Sequence, residues 1–276
     1  MVEDVVTPRG PYRLSLMRRG GAWQGDLADG TTATAWQRPD GTLLLRSMTE
    51  AGLERARFML ALDDDTAEFH RRFGRDPLLG ATARAFVGYR PLRLATVAHA
   101  TLRAICGQLI DSKRAAAIER SILRHLGVAV ATCDVLSCLS PTDLRRFGLA
   151  TSRGSTLIRL VRSLDLERLR EHDTGVVLKR LGRERGIGPW SVGVIALEGL
   201  GRYDHGLVGD LGLVKLMSSL NGRFVEAGET ADLLAPYEEW QGLAGQLLML
   251  GWSRGLIAGA DSDLGRRTRL RTKRLS

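Results

Sequence analysis

One carboxylate and the turn before it carry the chemistry that this sequence suggests. Asp210 opens the run Asp210-Leu211-Gly212-Leu213-Val214-Lys215, where an aspartate is well placed to cap a helix. About two dozen residues earlier stands Gly186-Ile187-Gly188-Pro189-Trp190-Ser191. A polar, charged helix over roughly 175–184 runs into two glycines that flank an isoleucine. Glycine tolerates positive φ and lets another backbone come close. Pro189 falls where the first turn of a helix accepts proline, and 190–200 is apolar enough to be a buried helix. The stretch therefore reads as helix, tight glycine hairpin, helix. The first N–H groups of the second helix point into the hairpin and form a ready anion site, with a nucleic-acid phosphate as its obvious occupant.

The pairing of this hairpin with an aspartate resembles the helix-hairpin-helix DNA glycosylases, and within them the alkylbase branch, 3-methyladenine DNA glycosylase II. The resemblance covers roughly 76–252 in some detail and the first 75 residues loosely. It implies that the target nucleotide is flipped out of the duplex, since its glycosidic bond is otherwise unreachable. The hairpin residues Gly186, Ile187, Gly188, Pro189 and Ser191 would grip phosphates. Asp210 would stabilise the oxocarbenium-like sugar as the base leaves, and orient or deprotonate the attacking water. The alternative for the hairpin is a helix–helix turn with no ligand, and Asp210 taken alone reads as a plain N-cap worth about 1 kcal/mol.

Further roles come with the resemblance. The loop 148–152 matches the one that sends a side chain into the base stack. Leu149 is its apolar candidate, with packing under the loop as the alternative, and Thr151 is the helix cap beside it. Gln108 matches the start of a Gln-Gln motif facing the DNA; here the second position is Leu109, so part of that contact is lost. Trp190 stands where bifunctional relatives place a lysine nucleophile. Tryptophan cannot form a Schiff base, so a monofunctional, water-using enzyme is expected. Lys215, five residues past Asp210 on a helix, points elsewhere. Trp190 suits an alkylated purine, whose positive charge an electron-rich ring attracts, with core packing as the alternative. Val194 and Met249 take the places of a pocket tyrosine and a pocket tryptophan, which makes the pocket less aromatic than its model. No side chain is expected to hold a metal and no organic cofactor is expected, though the resemblance implies a monovalent cation, Na+ or K+, on the hairpin carbonyls.

The elements that must position these groups follow from patterning. Residues 11–48 read as β: 12–16 alternates, and 31–36 and 42–45 flank the turn Arg38-Pro39-Asp40-Gly41. A helix is expected over 61–73 and a linker near 74–79. From there the pattern is helical: a helix beginning at Arg90-Pro91, a second capped by Asp111 and stopped by Gly127, and a short one behind the capping box Ser140-Pro141-Thr142-Asp143. A helix capped by Thr151 follows, then the hairpin, the Asp210 helix and a last helix over 235–251. The expected class is α+β: a small antiparallel β-containing N-terminal domain (1–75), an all-α helix-hairpin-helix domain (76–265) and a basic tail (266–276).

Composition sets the bounds. At 276 residues with 44% hydrophobic and 26% charged content, the chain has ample material for a core. Its net charge of +9 fits a polyanionic partner, but six basic residues lie in 266–274 and leave about +3 for the rest. Cys106, Cys133 and Cys138 form no CxxC and no four-ligand set, so neither zinc nor an iron–sulfur cluster is indicated. From the acidic start, Met1 to Asp4, no signal peptide is expected, and no run approaches a membrane span. A cytoplasmic monomer acting on damaged double-stranded DNA, at the nucleoid in a bacterium, is expected. The alternatives are a glycosylase for uracil, hypoxanthine or oxidised guanine, and a non-catalytic DNA-binding protein.

Overall fold

The computed structural model describes residues 1–108 and 110–260, so Leu109 and the basic tail lie outside the described residues. Strands β1 (Val2–Val6), β2 (Ala22–Asp26), β3 (Thr32–Gln37) and β4 (Leu43–Ser47) form one antiparallel sheet in the order β1-β4-β3-β2. The period of two shows in the burial: Ala33 and Ala35 of β3 and Leu43 and Leu45 of β4 are fully buried on one face. That face packs on the helix Glu50–Met59 through Leu53, Ala56 and Met59. Everything beyond is helical, so the class is α+β, with a small N-terminal sheet before a helical body.

The helix Val97–Gly107 is the axis of the helical body, with nine of its residues buried. Around it lie Ser112–Leu126, Thr151–Ser163, Pro189–Val194 and the π-helical stretch Ile195–Leu200. The two hydrophobic cores divide between Leu62 and Phe69, and Ala95 and Val130 join the sheet's core from the helical side. Arg90, fully buried, ties the two parts together, donating to the carbonyls of Arg9, Pro11 and Ala61.

Local signals hold up where the cap is explicit. Asp111 accepts from the amides of Lys113 and Arg114, Ser140 and Asp143 form the reciprocal capping box, and Gly127 closes its helix at φ 67°. Other expectations are corrected. Residues 14–17 are a short helix, with Leu14 fully buried, and β1 was not anticipated. The helix expected over 61–73 is confined to Ala67–Phe73; a separate, unanticipated helix, Glu50–Met59, precedes it, and Ala61 between them takes φ 54°. The helix expected from Arg90 starts at Val97, capped by the Thr96 hydroxyl. The preceding segment stays extended because the amides of Arg93 and Leu94 donate to the carbonyls of Met59 and Glu198. The last helix is split into a 3-10 turn, Ala235–Trp240, and the α-helix Gln241–Ser253.

Candidate active site

The hairpin is built from the helix Thr174–Arg183, a turn closed by the Ile187 amide donating to the Glu184 carbonyl (3.0 Å), and the helix starting at Pro189. The two glycines serve different ends. Gly186 takes φ +88°, and a Cβ there would strike the Thr156 hydroxyl, so neither conformation nor space admits a side chain. Gly188 is the N-cap with an ordinary φ of −94°, and a Cβ there would meet nothing within 4 Å. Its outer side is open. Ile187 between them is buried and anchors the turn in the core.

Side chains from two other helices hold the hairpin from behind. Gln108 Nε2 donates to the Gly186 carbonyl (2.9 Å) and to Ser191 Oγ (3.0 Å). Ser191 is buried, so its hydroxyl is committed inward. Arg159 pairs with Glu184 and donates to the Arg185 carbonyl (2.6 Å), which also accepts from Thr156 Oγ1 (3.4 Å). Neither Arg159 nor Thr156 carries a sequence signal for this role; both meet the hairpin only through tertiary packing. Among the described residues no group of three or more His, Cys, Asp or Glu can hold a metal ion. A cation at the hairpin would therefore rest on backbone carbonyls. Those of Glu184, Arg185 and Gly186 accept the hydrogen bonds just given. The Arg185 carbonyl takes two of them, whereas those of Glu184 and Gly186 take one each and keep a second lone pair.

Asp210 caps the helix Leu211–Asn221 and is half-buried. Its Oδ1 accepts from the Gly212 amide (2.7 Å) and its Oδ2 from the Trp190 indole Nε1 (3.0 Å). The carboxylate is thus fixed at both oxygens, once by its own helix and once by the first turn of the hairpin helix. Met249 lies half-buried against Gly212, where a single Cβ would come 2.9 Å from Asp210 Oδ1 and 3.0 Å from Met249 Sδ. The structure therefore brings Asp210, Trp190, Gly212 and Met249 into one cluster and sets the hairpin turn beside it. Val194 does not join them openly; at 6% exposure it is packed into the helical core. Lys215 is exposed and lines a surface depression with Ser218, Gly222, Arg223 and Phe224.

Two residues of the wedge loop are corrected. Leu149 is 1% exposed, so its side chain is inside the core. The cause is a Schellman motif ending the helix Pro141–Arg146: Gly148 at φ 93° donates to the Arg145 carbonyl, the Leu149 amide returns to Leu144, and the apolar residue after the glycine folds under the helix end. The exposed residues of this loop are Gly148, Ala150, Thr151 and Ser152. Thr151 does not cap; Ala150 is the N-cap, no side chain closes that end, and Thr151 is the first helical residue.

No protein-family model matches the chain. A DNA-3-methyladenine glycosylase of Bacillus subtilis is 25% identical over 201 residues, 66% of each chain. A Mycobacterium tuberculosis protein named "Probable bifunctional transcriptional activator/DNA repair enzyme AlkA" is 30% identical over 171 residues, 58% of this chain and 34% of that one. The chain thus spans less than two thirds of the length of these relatives. A solved structure, the 3-methyladenine DNA-glycosylase from Archaeoglobus fulgidus, superposes with a TM-score of 0.75 at 18% identity, covering 92% of this chain and 99% of that one. The chain shares the fold of that solved glycosylase, and in sequence it is similar to relatives named DNA-3-methyladenine glycosylase and DNA repair enzyme AlkA.

Proposed function

We propose that this protein excises alkylated purines from duplex DNA by hydrolysing the N-glycosidic bond, as a monofunctional glycosylase of base-excision repair. The observation that carries this reading is the Asp210 carboxylate, fixed at both oxygens directly beside the start of the hairpin helix. Two bonds leave further lone pairs free on a carboxylate. These would face the sugar of a flipped nucleotide or the attacking water. As the base departs with the bonding electrons, positive charge builds on the sugar ring; a pre-positioned anion in a half-buried site stabilises it. Water then adds at C1′ and loses a proton, and Asp210 is the base within reach. An alkylated purine leaves readily because it already carries positive charge, and the Trp190 ring favours such a base.

The DNA grip is the hairpin. Gly188 has no internal need to be glycine, so the open space outside it is read as clearance for a phosphate approaching the first amides of the helix. A monovalent cation on the hairpin carbonyls would add positive charge to that grip. No amine stands at Asp210 among the described residues: Trp190 fills that place, and Lys215 faces its own depression. Strand cleavage through a Schiff base is accordingly not part of the proposed reaction. Work on chromosomal DNA inside the cell follows from the same reading.

The test is release of free bases from methylated genomic DNA under single-turnover conditions. The expected products are 3-methyladenine and 7-methylguanine, with strand breaks only after alkali. Breaks without alkali would contradict the monofunctional reading. Release only from uracil, hypoxanthine or oxidised-guanine duplexes would move the substrate. Silence on every lesion, with retained DNA binding, would make the protein a non-catalytic binder.

A further inference from the structure

Trp190 stands between Asp210 and the end of the axial helix. Its pyrrole nitrogen donates to Asp210 Oδ2 at 3.0 Å. Its benzo edge lies over Gly107, the last residue of Val97–Gly107: a Cβ at Gly107 would sit 2.5 Å from Cη2, 3.3 Å from Cζ3 and 3.4 Å from Cζ2. The backbone gives no reason for glycine here. Gly107 is helical and is not among the positive-φ glycines, and alanine is the better helix former. The missing side chain makes room for the indole, and the seated indole can then reach the carboxylate.

We infer that Gly107 and Trp190 are a positioning pair for Asp210: Gly107 seats the indole, and the indole N–H sets the plane of the carboxylate that acts at the sugar. This rests on the assignment of Asp210 made above. The pair links the first turn of the hairpin helix directly to the carboxylate, so the group that binds the phosphate and the group that acts on the sugar share one rigid mount. Gln108, the next residue, holds the Gly186 carbonyl and Ser191, so consecutive residues brace the two halves of the site.

The test uses the full chain and four variants: W190F, which keeps a ring but removes the N–H, G107A, which keeps the N–H but displaces the ring, the double variant G107A/W190F, and D210N. Each is measured for single-turnover base release from methylated duplex and for affinity to the same duplex; thermal melts check folding. W190F and G107A should each slow excision by about tenfold or more, the scale of a lost hydrogen bond to a charged group, with affinity held within about twofold. The double variant should be no slower than the slower single, because both changes break the same contact. If W190F excises at the wild-type rate, or the losses multiply in the double variant, or affinity falls in step with rate, the pair does not position Asp210. W190F alone decides the matter if G107A does not fold. Normal excision by D210N would instead sink the assignment of Asp210, and the pair with it; a silent D210N beside an unimpaired W190F would sink the pair alone.

Discussion

Asp210 and Glu119 are both carboxylates held by neighbours, and the difference between their surroundings separates the group proposed to react from a structural one. Asp210 is half-buried and keeps unused lone pairs. Glu119 is buried and fully engaged: His99 Nε2 lies 3.1 Å from Oε1, and the Arg103 guanidinium, 2.9 Å away, reaches on to Glu198 at 2.9 Å. Burial alone would push the Glu119 carboxyl up, but the hydrogen bonds from His99 and Arg103 and the Arg103 charge outweigh it and hold the group at about 2, against an ordinary 4.5. Because the folded value is depressed, this contribution is present in full above the ordinary carboxylate range and is lost as pH falls from about 5 toward 2. E119Q should therefore lower stability at neutral pH by a few kcal/mol and flatten that acid limb relative to wild type. Urea midpoints across pH check this; parallel curves for the two proteins would contradict it.

At the scale of the element, the two hairpin glycines make opposite predictions from a single substitution type. G186A forces positive φ on alanine and drives a methyl into Thr156, so it should destabilise the fold by about 1–3 kcal/mol. G188A meets no internal atom, so it should melt near wild type yet bind duplex DNA more weakly, because its methyl would occupy the clearance outside the turn. Equal binding by G188A and wild type would remove the hairpin's outer side from the DNA surface. These elements were legible in sequence because their signals are local: glycines beside a proline, Asp210 and Asp111 as caps, the Ser140 box. Leu149 was not, since an apolar residue after a glycine serves equally as a wedge or as the buried end of a Schellman motif. The helix Glu50–Met59 went unread, although Thr49 caps it and Leu53, Ala56 and Met59 mark its buried face. The Trp190–Asp210 bond joins residues 20 apart through a loop, and no spacing rule reports it.

For the whole molecule, the sheet and the helical body are joined by buried cations that the charge pattern hid among 40 Lys and Arg residues. Arg90 is fully buried over the Tyr12 ring, and Arg93 pairs with Asp64, which also accepts from the Tyr203 hydroxyl at 2.6 Å. R90A would leave the carbonyls of Arg9, Pro11 and Ala61 without their buried donor, a cost of about 3 kcal/mol or more. A single cooperative urea transition at a clearly lower midpoint is expected. An unchanged midpoint would mean that the two parts hold together without Arg90. No helix among the described residues is long and apolar enough to cross a membrane.

Asp210 bears the central claim, and D210N tests it most directly. Asparagine still caps a helix, so the fold and duplex affinity should stay close to wild type while the negative charge at the sugar disappears. Single-turnover excision of 3-methyladenine from methylated DNA should fall at least about a hundredfold, the scale of losing one electrostatic stabiliser of the transition state. Excision by D210N at the wild-type rate, with folding and binding intact, would contradict the account and leave Asp210 as no more than the cap of its helix.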